Sequence, residues 1–105
     1  MEKVKGQYRH GDVLLTPVSS VPDGGQEMAR DSITLAEGEV TGYRHQLTGN
    51  AVLIVHEGRR FLVVDGEPAM LTHEEHGLIV VQPGQYEVIQ QREWDLTGQW
   101  RRVMD

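Results

Sequence analysis

Short apolar runs separated by glycine-bearing polar breaks recur along the whole chain. None holds an i, i+3, i+4, i+7 stripe long enough to compel a helix. Val13-Leu14-Leu15-Thr16-Pro17-Val18 reads as a first strand, with Pro17 marking an edge or a strand end because it cannot donate to a ladder. Residues 19–25 are a loop by composition, and residues 26–31 a loop or a short helical turn. Ile33-Thr34-Leu35-Ala36 is a short strand. Glu37-Gly38-Glu39 then turns into a segment over 40–47, in which Val40, Tyr43 and Leu47 are core candidates. Thr48-Gly49-Asn50 reads as a turn.

The β-rich run Ala51–His56 and the run Phe61–Val64 make a hairpin through Glu57-Gly58-Arg59-Arg60. Ala69–Thr72 and Leu78–Val81 are brief strands. A longer strand is expected over Tyr86–Trp94, and a last hairpin over Trp94–Met104 that turns near Thr97-Gly98-Gln99. The pattern predicts an all-β domain of eight or nine short, mostly antiparallel strands. Closing or doubling so small a sheet removes exposed edges, which favours a barrel or a double-sheet roll.

The chain has 105 residues, enough for a single domain, with its core over about 10–104 and a flexible lead-in over 1–7. It has no cysteine, which excludes a disulfide framework, thiolate zinc and a cysteine nucleophile, and fits a cytoplasmic location. No apolar run approaches the ~20 residues needed to span a bilayer. No secretory h-region follows the first charges. A net charge of −6 opposes nucleic acid and anionic lipid on average.

The densest chemistry lies in Leu71-Thr72-His73-Glu74-Glu75-His76-Gly77. A turn there directs His73 and His76 into one cavity, and His45 arrives from another strand to complete a three-histidine metal site. Imidazole and carboxylate donors suit Zn, Fe, Ni or Mn. Glu74 or Glu75 is the candidate general base, and either would need burial to raise its pKa toward neutrality. Adjacent glutamates on a strand face opposite sides, so at most one serves. The spacing is not His-Glu-x-x-His, so a zincin reading fails. His10 precedes the first strand and His56 ends a β run, and both read as surface or hairpin residues.

Tyr43 and Arg44 are candidate ligand-binding residues, with Arg44 suited to an anion. On a strand Tyr43 shares a face with His45 while Arg44 faces away. Trp94, near Arg92, Arg101 and Arg102, is a further candidate as a stacking surface. No nucleophile elbow or phosphate-binding loop is present.

His10-Gly11-Asp12-Val13-Leu14-Leu15, Glu37–His45, Leu71–His76, Pro83–Val88 and Gln91-Arg92-Glu93-Trp94 together resemble a group of small uncharacterised bacterial and phage-associated proteins. That resemblance implies no activity. More loosely, Gly38 followed by Tyr43 and His45 is similar to the first cupin motif, with tyrosine in the first histidine position. The second cupin motif departs, because no histidine follows Pro83-Gly84. The expected function is a small non-catalytic binding or accessory module, phage or mobile-element associated, taking a small molecule or protein. The alternatives are a cupin-like metal-dependent enzyme and a nucleic-acid-binding β module. Pairing of edge strands would give a homodimer.

Overall fold

A computed structural model describes residues 7–37, 42–90, 92–94 and 100–102, the last two segments by their backbone. Expectations for residues 1–6, for the 38–41 turn with Val40, for the turn near 97–99 and for the side chain of Trp94 lie outside the described residues.

Every described element is a strand: β1 (Tyr8–His10), β2 (Val13–Pro17), β3 (Gln26–Glu37), β4 (Arg44–His56), β5 (Arg59–Val64), β6 (Ala69–Thr72), β7 (Ile79–Val81), β8 (Gly84–Gln90), β9 (Arg92–Trp94) and β10 (Trp100–Arg102). The main sheet runs β1-β2-β8-β5-β4-β6-β7, with β3 also paired to β4, and every ladder is antiparallel. β9 and β10 form a separate two-stranded ladder. The expected long strand over 86–94 is thus divided between two ladders.

Alternation places one side of each strand inward. Val13, Leu15, Ile33, Leu35, Leu47, Leu62, Leu71 and Val81 are sealed from solvent and form the heart of one apolar cluster. Pro17 is the last residue of β2, where its missing N–H costs least.

Two expectations are corrected. Residues 26–31 are neither loop nor helical turn but the first half of β3. Register shifts after Glu27, Arg30 and Thr34 break the period-two pattern that would have revealed the strand. Thr48-Gly49-Asn50 is not a turn but lies inside the continuous β4. At this point β4 changes partners: Gln46–Thr48 pair with β6, and Ala51–His56 pair with β5. Gly49 (φ 147°) passes so close to β6 that a side-chain carbon there would sit 2.9 Å from Ala69 Cβ.

The two ends of the sheet, β1 and β7, are joined by side chains. Tyr8 and His10 share one face of β1. The Tyr8 hydroxyl accepts the Gln82 N–H at 3.1 Å, and His10 Nε2 meets the Gly77 carbonyl at 2.8 Å. Tyr86 donates its hydroxyl to the Gln82 carbonyl at 2.7 Å, and its ring meets Tyr8 edge-on. The result is a nearly closed barrel with a seam flanking β7.

A Tyr8→Phe variant is expected to lose about 1 kcal/mol in urea unfolding, because the Gln82 N–H loses its partner. Burial, reinforced by the Tyr8 hydroxyl, pushes the Tyr86 phenol up to about 12. Its contribution to stability is complete below pH ~10 and is lost as pH rises from there toward 12, because the unfolded phenol ionises first. Phenolate absorbance followed alongside unfolding checks this.

Candidate functional site: an imidazole cluster backed by a buried carboxylate

Four of the five histidines meet at one place in the barrel. His10 ends β1, His45 lies at the start of β4, and His73 and His76 sit on the turn after β6. Ring centroids are 5.0 Å apart for His10 and His45, 4.3 Å for His45 and His73, and 4.5 Å for His73 and His76. His76 lies 5.9 Å from both His10 and His45. His45 is completely buried, His10 is 3% exposed and His73 6% exposed, while His76 is exposed.

Local sequence sets these positions. The tight bend His10-Gly11-Asp12, with Gly11 at φ 61°, joins β1 to β2 and turns the Asp12 side chain inward. Asp12, 2% exposed, faces His45 Nε2 through Oδ1 at 3.3 Å and accepts the Gln90 amide at Oδ2 at 2.8 Å. The 73–77 turn folds around the His73 ring. His73 Nδ1 accepts the backbone N–H groups of Glu75 (3.0 Å) and His76 (3.1 Å), and Gly77 N–H closes onto the His73 carbonyl.

The bonding fixes where the imidazole hydrogens lie. His10 Nε2 faces a carbonyl and so carries a hydrogen. Its Nδ1 lies 2.9 Å from His45 Nδ1, which requires one hydrogen between the two nitrogens. His45 Nε2 stands 3.3 Å from Asp12 Oδ1. Burial holds the His10 pKa below the ordinary 6.5; the Gly77 carbonyl opposes this, and the neighbouring His45, His73 and His76 add to it.

The other sequence-derived candidates divide. Tyr43 is half-buried, with its ring 5.8 Å from that of His73, so it borders the cluster. Arg44 points outward: its N–H donates to Glu74 Oε2 at 3.0 Å, and its guanidinium reaches Glu37 at 4.0 Å. Glu74 and Glu75 are both exposed, and the Glu74 carboxylate serves the Arg44 backbone rather than the imidazoles. His56 meets the exposed Glu57.

His10 is corrected from a surface residue to a buried member of the cluster, and Asp12 joins it. The readable signal was the alternation Tyr8-Arg9-His10 before Gly11-Asp12, a short strand running into a bend. Among the described residues, no three of these donors are already spaced to enclose one ion.

A family profile for a domain of unknown function, DUF8820, matches residues 9–91. The chain belongs to this family. The DUF8820 span starts one residue before His10 and ends one after Gln90, so the cluster and its supporting carboxylate lie within the family domain. No curated protein and no solved structure matches the chain.

Proposed function

We propose that this DUF8820 domain is a small non-catalytic binding module for a divalent transition-metal ion, held by Nδ1 of His10 and Nδ1 of His45 and closed by His76. The observation that carries the reading is the facing pair of Nδ1 atoms, each on a ring whose outer nitrogen faces an oxygen, the Gly77 carbonyl at 2.8 Å for His10 and Asp12 Oδ1 at 3.3 Å for His45. Metal-ligating histidines characteristically donate their second N–H to a carbonyl or carboxylate, which orients the ring and strengthens the donor nitrogen. Gly77 and Asp12 are such acceptors. Two nitrogens at about 2.1 Å from one ion are about 3 Å apart at a right angle. The 2.9 Å separation is close to that value, and both rings would turn so that their Nδ1 lone pairs, now aimed at each other, meet at the ion.

Two nitrogens already lie side by side, and the exposed turn carrying His76 would bring the third. An all-imidazole set favours zinc, nickel, cobalt or iron over the hard, oxygen-preferring cations. Both glutamates lie exposed on the turn, which supports binding rather than catalysis.

Calorimetry on untagged, chelator-treated protein tests the reading with Zn²⁺, Ni²⁺ and Co²⁺. A single ion per chain is expected. Asp12→Asn should weaken binding by about 10–100-fold through loss of the carboxylate behind His45, and His76→Ala should weaken it with little effect on folding. Absence of binding by the wild-type chain at millimolar metal would reject the proposal.

A further inference from the structure

We infer that the outward face of β3, β4 and β6 carries a second binding site, one for a neutral saccharide of one or two rings. It lies on the side of the sheet away from the facing Nδ1 pair and does not depend on the metal reading.

Strand register sets the place. Thr34 pairs with Gln46 across β3 and β4, and Gln46 pairs with Thr72 across β4 and β6. Alternation turns these three side chains outward, while their neighbours Ile33, Leu35, Leu47 and Leu71 are buried in the core. The row crosses two strand spacings, about 10 Å. It belongs to a depression of about 550 Å³, lined in part by Ser32, Thr34, Arg44, Gln46, Thr72 and Glu74. That is the size of a small-molecule site, but its lining holds no apolar residue, so a polar ligand fits it.

The side chains there hold one another. The Thr34 hydroxyl donates to Gln46 Oε1 at 2.7 Å, and Gln46 Nε2 donates to the Ser32 hydroxyl at 2.7 Å. The Thr72 hydroxyl donates to the Gln46 carbonyl at 3.3 Å. An amide held on both sides loses little freedom when a ligand arrives. What these bonds leave over is mixed. Ser32 keeps its hydroxyl hydrogen and Gln46 a second N–H, both donors. The Thr34 and Thr72 oxygens keep lone pairs, both acceptors.

Charge points the same way. Arg44 brings a guanidinium to the rim, with Glu37 at 4.0 Å, and the Glu74 carboxylate accepts the Arg44 N–H. Two carboxylates near one guanidinium give no positive excess to draw an anion, and the whole chain carries −6. A cation would meet the guanidinium. An alcohol group both donates and accepts, which matches the mixed array, and a sugar ring carries several such groups in a row.

Two-dimensional NMR on isotope-labelled wild-type protein tests this. The probes are glucose, mannose, galactose, N-acetylglucosamine, maltose and cellobiose, each taken to tens of millimolar. At least one sugar should shift the backbone signals of Ser32, Thr34, Gln46 and Thr72 to saturation, while those of β1 and β8 stay in place. Gln46→Ala should weaken that sugar about tenfold or more, because the amide is lost and both flanking hydroxyls are released. Thr34→Val keeps the shape, removes one hydroxyl and should weaken it several-fold. Should Gln46→Ala melt early, Thr34→Val carries the same decision. Acetate, phosphate and glycine, titrated in parallel, should leave these signals unmoved.

No saturable shift with any of these sugars would overturn the inference. So would a shift that maps to other strands, or one that neither variant weakens. Saturation by acetate, phosphate or glycine without a sugar would assign the depression to a charged ligand and overturn it as well. None of these results bears on the calorimetric test of metal binding.

Discussion

Replacing His45 with alanine is expected to destabilise the metal-free protein by about 2–4 kcal/mol, because it empties a fully buried site and strands the polar groups that face it. His45 is completely buried and links His10 to Asp12. Alanine leaves the Asp12 carboxyl in the interior with Gln90 as its retained hydrogen-bond donor, and it takes away the group that His10 Nδ1 faces. A double variant, Asp12→Leu with His45→Phe, is therefore expected to regain most of the stability, since apolar replacement of a whole buried pair is often neutral. Urea unfolding of wild type, His45→Ala and the double variant, with Asp12→Leu and His45→Phe alone to close the cycle, measures it. A single variant within about 1 kcal/mol of wild type would show that the His45–Asp12 contact contributes little.

Gly49→Val should be nearly as damaging, at about 3 kcal/mol, by a different route. At φ 147° the backbone lies where residues with side chains are strained. The first added carbon meets Ala69 Cβ at 2.9 Å and Ala69 Cα at 3.0 Å, and Ala69 is itself fully buried with no room to retreat. Valine must therefore push β6 away from β4 at the point where β4 changes partners. Since β6 leads directly into the histidine turn, metal affinity should fall together with melting temperature. A variant with wild-type melting behaviour would show that β6 can shift freely.

Much of the architecture was legible because burial wrote a period-two pattern into the strands. Ala51–His56 and Phe61–Val64 read as a hairpin and form one. The first half of β3 was illegible because its bulges disrupt alternation and most of its side chains face solvent. Thr48-Gly49-Asn50 has turn composition, and only the proximity of Ala69, twenty residues away, explains a glycine inside a strand. The site was half legible. His45, His73 and His76 could be grouped by chemistry; for His10 the sequence offered only a short alternation before a bend, since its burial depends on β1 lying against the Gly77 carbonyl. Asp12 looked like an ordinary turn aspartate until His45 and Gln90 were seen on either side of it. Nor does spacing reveal that His73 Nδ1 accepts two backbone N–H groups of its own turn; that depends on the main-chain path there.

The contacts that draw β1 and its bend against the far strands join residues very distant in sequence: His10 to Gly77 across 67 positions, Tyr8 to Gln82 across 74, and Asp12 to Gln90 across 78. Each requires a large loop-closure entropy to be met before any reward is collected, whereas the β4–β5 hairpin can form locally. Productive folding should thus begin within the middle strands and finish with the docking of residues 8–12. On the metal-binding reading proposed above, a nascent or truncated chain lacking residues 77–90 would have no competent centre, so loading would be confined to molecules that have completed their final folding step.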